Sequence, residues 1–206
     1  MESIFNKYDD YIIRSQYKTY ESTSETNFNR DGVITFEIEG TYSILNIKHA
    51  KYNISGKYLN NNNIEYEANS NVQLDDNFVA LLFSQIEVTN NGTLIDQIEN
   101  VGRSSIIKGR VSYYLDENGP TINSGFQTRF ENSLRFKAIG NLSNLCLGFF
   151  KDIKHPIFKG GIKINFKRAK DDDALYRWDS TTAAIPTFGK VIIEDFMITI
   201  PSVEYQ

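Results

Sequence analysis

The sequence predicts an all-β protein, an antiparallel β-sandwich with a few short helices between strands. Three observations predict it. Several stretches alternate apolar and polar residues with the period of two that a strand with one wet face requires. Turn-forming clusters of Asn, Gly, Asp and Pro recur at intervals of roughly ten residues, as sandwiches require. The composition is rich in bulky residues that favour half-buried pleated surfaces, with 14 Phe and 12 Tyr in 206 residues. That length fits a single domain.

The elements follow in chain order. Residues 1–30 are tyrosine-rich but otherwise polar, and "YESTSETNFNRDG" has no period, so an extended N-terminal arm is expected there. Residues 31–206 are expected to form the domain. "GVITFEIEG" alternates, with Ile34, Phe36 and Ile38 inward and Thr35, Glu37 and Glu39 outward. "KYNISGKYL" gives a second strand through Tyr52, Ile54 and Tyr58, interrupted at Gly56. In "DDNFVALLFSQIEV", Phe78, Leu81, Leu82 and Ile86 recur at helical spacing, with Asp75 or Asp76 placed to cap the first turn. That short helix flows into a strand over Gln85–Thr89. Asn91 and Gly92 supply the positive φ of a tight hairpin, and "TLIDQI" returns.

Further along, Gly102 admits a short helix whose Ile107, Val111 and Tyr114 share a face. "DENGP" is a turn and "SLRFKAIG" a strand. Leu142, Leu145, Cys146 and Phe149 at i, i+3, i+4 and i+7 predict a third short helix, with Cys146 buried on its apolar face. "GIKINFKRA" alternates again, Ile162, Ile164 and Phe166 inward and Lys163, Asn165 and Lys167 outward. "KVIIEDFMITIP" is apolar on both faces, so it is expected to be central or covered, and Pro201 to end it.

Composition also limits function. A net charge of −4 argues against nucleic-acid binding through bulk charge, and leaves it at most a weak role for "KGGIKINFKRAK". With one cysteine, Cys146, the sequence forms no internal disulfide or thiolate metal cluster. The two histidines, His49 and His155, lie far apart in loop-like contexts, which disfavours a triad base or a cupin-type metal site. Asp171, Asp172 and Asp173 are consecutive, so their side chains diverge where a calcium loop needs convergence. No phosphate-binding glycine loop is present. No cofactor, catalytic residue or metal is expected, nor a membrane span. "MESIFNKYDDYIIRSQ" lacks a signal-peptide core, so synthesis within the cell is expected.

The order of segments carries a resemblance. "SQYKTYESTSETNFNRDGVITFEIE" leads into "AKYNISGKYLN", then "NFVALLFSQIEVTNNGTLIDQIENVGRSSIIKGRVSYY", then "LSNLCLGFFKDIKHPIFKGGIKINFKRAKDDDALY" and "GKVIIEDFMITIPSV". From Ser15 to Val203 this series resembles the first half of the double-jelly-roll major capsid proteins of Polinton/Maverick elements and adintovirus-like viruses. The resemblance implies an eight-stranded jelly roll and a role in building an icosahedral virion shell within an infected cell. It implies homo-oligomeric partners, copies of itself or related capsid subunits, and no catalytic residues. A complete double-jelly-roll protein has two sandwiches in one chain, and 206 residues accommodate one, so a second jelly-roll chain or domain is an implied partner. The arm is then expected to cross to a neighbouring subunit. Asn91, Gly92 and Gly102 are read as turn and scaffold positions. The rival reading is a non-enzymatic jelly-roll binding module for carbohydrate or protein, kept by a host, with Trp178 as an aromatic platform.

Overall fold

The structure, a computed structural model, describes residues 12–24, 28, 32–39, 43–66, 72–112, 135–154, 157–158, 161–177 and 189–205. Its strands are β1 (Ile12–Glu21), β2 (Val33–Glu39), β3 (Ser43–Leu45), β4 (Lys51–Leu59), β5 (Val72–Leu74), β6 (Phe83–Asn90) and β7 (Thr93–Glu99). They continue as β8 (Arg135–Asn141), β9 (Ile157–Phe158), β10 (Gly161–Arg168), β11 (Leu175–Arg177) and β12 (Lys190–Tyr205). Among the described residues three short helices, α1 (Phe78–Leu81), α2 (Val101–Ser112) and α3 (Gly148–Asp152), lie between strands. Tight 3-10 turns occupy Ile47–His49, Leu142–Leu145 and Asp171–Ala174.

All pairings are antiparallel. The first sheet runs β1–β12–β4–β8, with β3 continuing β4 along the same edge of β12 and β9 beside β3. The second runs β2–β10–β6–β7, and β5 pairs with β11 in a small separate ribbon. Among the described residues eight strands have seven residues or more, four in each sheet. The chain passes between the sheets in the order of a jelly-roll β-sandwich. The expected count of eight describes only these long strands. Among the described residues there are four more, of three residues or fewer, where the chain turns corners.

Alternation places the core. On β2, Ile34, Phe36 and Ile38 lie opposite Phe166, Ile164 and Ile162 of β10, and all six are buried. Across the sandwich, Phe196 of β12 meets Phe36 at 4.9 Å and Phe166 at 5.0 Å in edge-on contacts, and stacks on Phe83 of β6 at 5.6 Å. Each such ring contributes about 1.5–3 kcal/mol of transfer free energy. β1 lies beside β2, and Phe196 of β12 touches Phe166 of β10, so β4 and β8 lie over β6 and β7.

Several local expectations change. Residues 12–21 are not irregular: they form β1, paired with β12 from Ile12↔Tyr205 to Glu21↔Met197. The polar sequence suffices because β1 is an edge strand; of its described side chains only Tyr20 packs on the core. The segment is laid along β12 of its own chain. The chain then crosses to the free edge of β2, where Thr23 N–H donates to the Thr35 carbonyl (2.8 Å) and Thr35 N–H to Ser24 Oγ (3.2 Å). Nor does Gly56 interrupt β4. It sits opposite the point where β12 bulges between Ile193 and Asp195, and an added Cβ would collide with the Ile192 carbonyl.

Pro201 does not end β12, which continues to Tyr205. The proline lies in the gap between β4, whose pairing stops at Thr199, and β3, whose pairing starts at Ser202. Its missing N–H costs nothing on that edge, while its carbonyl accepts from Asn46 N–H (2.9 Å). At α1 the cap position is Asn77, left-handed at φ 63°, and Asp75 instead accepts from Asp76 N–H (2.8 Å). Finally, "NLSNLCLGFF" is two pieces, not one helix. Cys146 turns left-handed at φ 64° and separates the Leu142–Leu145 turn from α3.

Candidate functional site

Among the described residues, three groups of bonded polar side chains lie inside the roll, besides Ser202, whose hydroxyl donates to the Gln16 carbonyl (3.2 Å). The first is Arg168, the fourth inward position of β10 after Ile162, Ile164 and Phe166, with no side-chain exposure. Its guanidinium donates to the Leu82 carbonyl (2.9 Å), the Val191 carbonyl (3.2 Å) and Asp171 Oδ1 (3.0 Å). Leu82 adjoins β6 and Val191 belongs to β12, so one side chain ties the two sheets together. Burial pushes the guanidinium pKa below its usual value, and the Asp171 carboxylate offsets part of that shift. Asp172 Oδ1 accepts from Gly189 N–H (3.3 Å) beside it. The aspartate triplet is thus partly spent on holding its own turn.

The second node joins α1, α2 and the 142–145 turn. Ser105 of α2 is buried; its hydroxyl donates to Asn77 Oδ1 (3.3 Å) and the Asn144 carbonyl (3.1 Å). Lys108 Nζ donates to the Ser143 carbonyl (2.9 Å). Cys146 lies against this group, half-buried rather than enclosed. Desolvation pushes its thiol up, with Lys108 and a Ser105 hydrogen bond pulling the other way. Such a thiol is poorly suited to nucleophilic work at neutral pH.

In the third node Asp96 of β7 lies on the core side, opposite Val88, and its Oδ2 accepts from Phe149 N–H (2.8 Å) at the start of α3. That bond caps the short helix from across the fold. Arg168 was readable as the next inward step of the alternation, and Asp96 as a polar residue opposite the inward Val88. Ser105 left no signal, because its role depends on where the 142–145 turn lands.

Asn91 (φ 48°) and Gly92 (φ 80°) make the β6–β7 turn, and Asn91 N–H donates to the Gly161 carbonyl (2.9 Å). Gly102 lies inside α2 rather than ahead of it, pressed on Leu81 of α1: an added Cβ would fall 3.1 Å from Leu81 Cα. This side of α2, with Val101 and Ser105, is the buried one, which leaves Ile107 67% exposed instead of on the apolar face. Tyr114, His155 and Trp178 lie outside the described residues, as does the side chain of Val111. His49 is exposed on its turn. Among the described residues no three His, Cys, Asp or Glu side chains gather as a metal site, and no helix is long and apolar enough to cross a membrane.

The outer faces of the two sheets differ in charge. On the first, β4 and β8 direct Lys51, Lys57, Arg135 and Lys137 outward with no acid among them, around a 44% exposed Ile139. Glu194, at the β12 bulge, bridges Lys57 and Arg135 at 3.3 Å each. On the second, β6 and β7 direct Glu87 and Glu99 outward with no cation, beside a 53% exposed Leu94. The cations of that sheet stand on β10, where Lys163 pairs with Glu37 of β2 (3.3 Å).

Solved structures share this fold. One chain of the Sputnik virophage superposes with a TM-score of 0.53 at 12% identity, over 95% of this chain and 49% of its own length. A chain of the PBCV-1 virus capsid gives 0.53 at 10% identity over 94% and 43%, and the Faustovirus major capsid protein 0.51 at 10% over 94% and 55%. The chain thus spans about half the length of these relatives. No curated protein is matched by the sequence. The double jelly roll-like domain family matches residues 72–203, from β5 into β12, which is more than half of the chain. With its eight long strands wound in jelly-roll order, this chain belongs to the double jelly roll-like domain family.

Proposed function

We propose that this roll is a capsid-type structural subunit, a major-capsid-like protein whose copies self-associate into capsomers or a shell. The observation that carries the reading is the superposition of 95% of the chain on a virophage chain. The interior supports it, because Arg168, Ser105 and Asp96 bond one element to another. The segment order points to the Polinton/Maverick and adintovirus kind of capsid protein, with the virion as the place of work. Since the chain spans less than half of the Sputnik chain, a second roll, on the same or another polypeptide, completes the building unit. Residues 31–206 act as the domain and residues 1–30 as its arm, of which Ile12–Glu21 is laid down on β12.

The test is the native mass of the purified protein over a wide concentration range, with electron microscopy of what forms. Discrete rings, capsomers or shells are expected. A monomer at every concentration overturns the reading.

A further inference from the structure

The two outer faces carry opposite charge at the same side of the sandwich, because β4 and β8 lie over β6 and β7. We propose that copies of the roll pack face to back: the basic outer face of β4 and β8 on one copy meets the acidic outer face of β6 and β7 on the next. The inference rests on the assembly reading above and names its surface.

Three observations carry it. Lys51 and Lys137 are exposed on a half-sheet without acids, and Glu99 is exposed on a half-sheet without cations. Each half-sheet also holds an exposed aliphatic side chain, Ile139 on one and Leu94 on the other, which adds apolar surface to each charged patch. Like faces repel. Bringing two β4–β8 faces together opposes Lys51 and Lys137 of one copy to those of the other, beyond the Lys57 and Arg135 that Glu194 bridges, so a two-fold contact through that face is disfavoured, and the complementary arrangement remains. A face-to-back contact uses two different patches, so it repeats from copy to copy and closes into a ring when the rotation allows.

The test exchanges charge on one face at a time, with sedimentation velocity over concentration and salt as the readout. One variant carries Lys51→Glu and Lys137→Glu, the other Glu87→Lys and Glu99→Lys. All four side chains point outward, and the unfolding midpoint of each variant checks that the roll is intact. The unaltered protein should associate, less strongly as salt rises. Each variant alone removes the charge opposition between the two faces and should associate about tenfold more weakly or worse. Mixed in equal amounts, the variants should associate again, because each altered face complements the other's. Association unaffected by either exchange, or lost in both and not recovered on mixing, overturns the surface while leaving self-assembly standing. An unaltered protein that never associates overturns both.

Discussion

Arg168 shows how much one side chain can hold. Its guanidinium reaches carbonyls beside β6 and on β12 as well as Asp171, yet its Nε has no partner. Replacement by Met keeps the stem but leaves Asp171 without its cation and two carbonyls without their donor. Arg168→Met should destabilise the roll by about 3–5 kcal/mol, measured by urea unfolding. Lysine should not rescue it, since a single ammonium cannot span three directions. Cys146 makes a pH prediction. Its thiol is pushed up by burial, so less thiolate exists at neutral pH in the folded chain than in the unfolded one. Alkylation should be slower when folded, and its pH midpoint should fall when the chain is unfolded. Lys108 works in the opposite direction, so Lys108→Met should raise the folded midpoint further.

At the scale of elements, β2 and β10 were legible because strict alternation over seven or eight residues leaves only one choice of face. Strand β1 was not. An edge strand on a covered sheet needs few apolar contacts, and the outward Tyr17 and Thr19 made the segment look solvated. The α2 helix was legible as a helix but not in its orientation. Ile107 fits an apolar stripe, yet the contact that decides is the close approach of Gly102 to Leu81. The split of "NLSNLCLGFF" was hidden for a related reason: nothing in a helical spacing announces a left-handed residue at Cys146. Gly56 gives the prediction at this scale. A methyl group there meets the Ile192 carbonyl and lies 2.8 Å from Phe136 Cζ. Gly56→Ala should cost about 1–3 kcal/mol, read as a lower unfolding midpoint, by forcing apart β4 and the bulge of β12.

For the whole molecule, β12 is the member on which the first sheet depends. It pairs with β4 and then β3 along one edge and with β1 along the other. Deleting residues 1–24 should uncover the second edge from Met197 to Tyr205, lower the unfolding temperature and produce concentration-dependent precipitation. Ordered capsomers of the shortened chain would instead assign β1 no part in stability. Fold class was readable at this scale because eight long strands separated by turns leave few alternatives. The charge difference between the two outer faces was not, since it appears only once register decides which lysines and glutamates share a surface.

The placement of β12 also bears on synthesis. A ribosome releases β1, β3, β4 and β8 well before the strand that lies between them, for Ile12 finds its neighbour only when Tyr205 emerges. Until then the nascent chain holds unpaired backbone and an open interior, and non-local closure of this kind is slow. A half-made roll has nothing to close on, and its interior stays open until β12 slides into place.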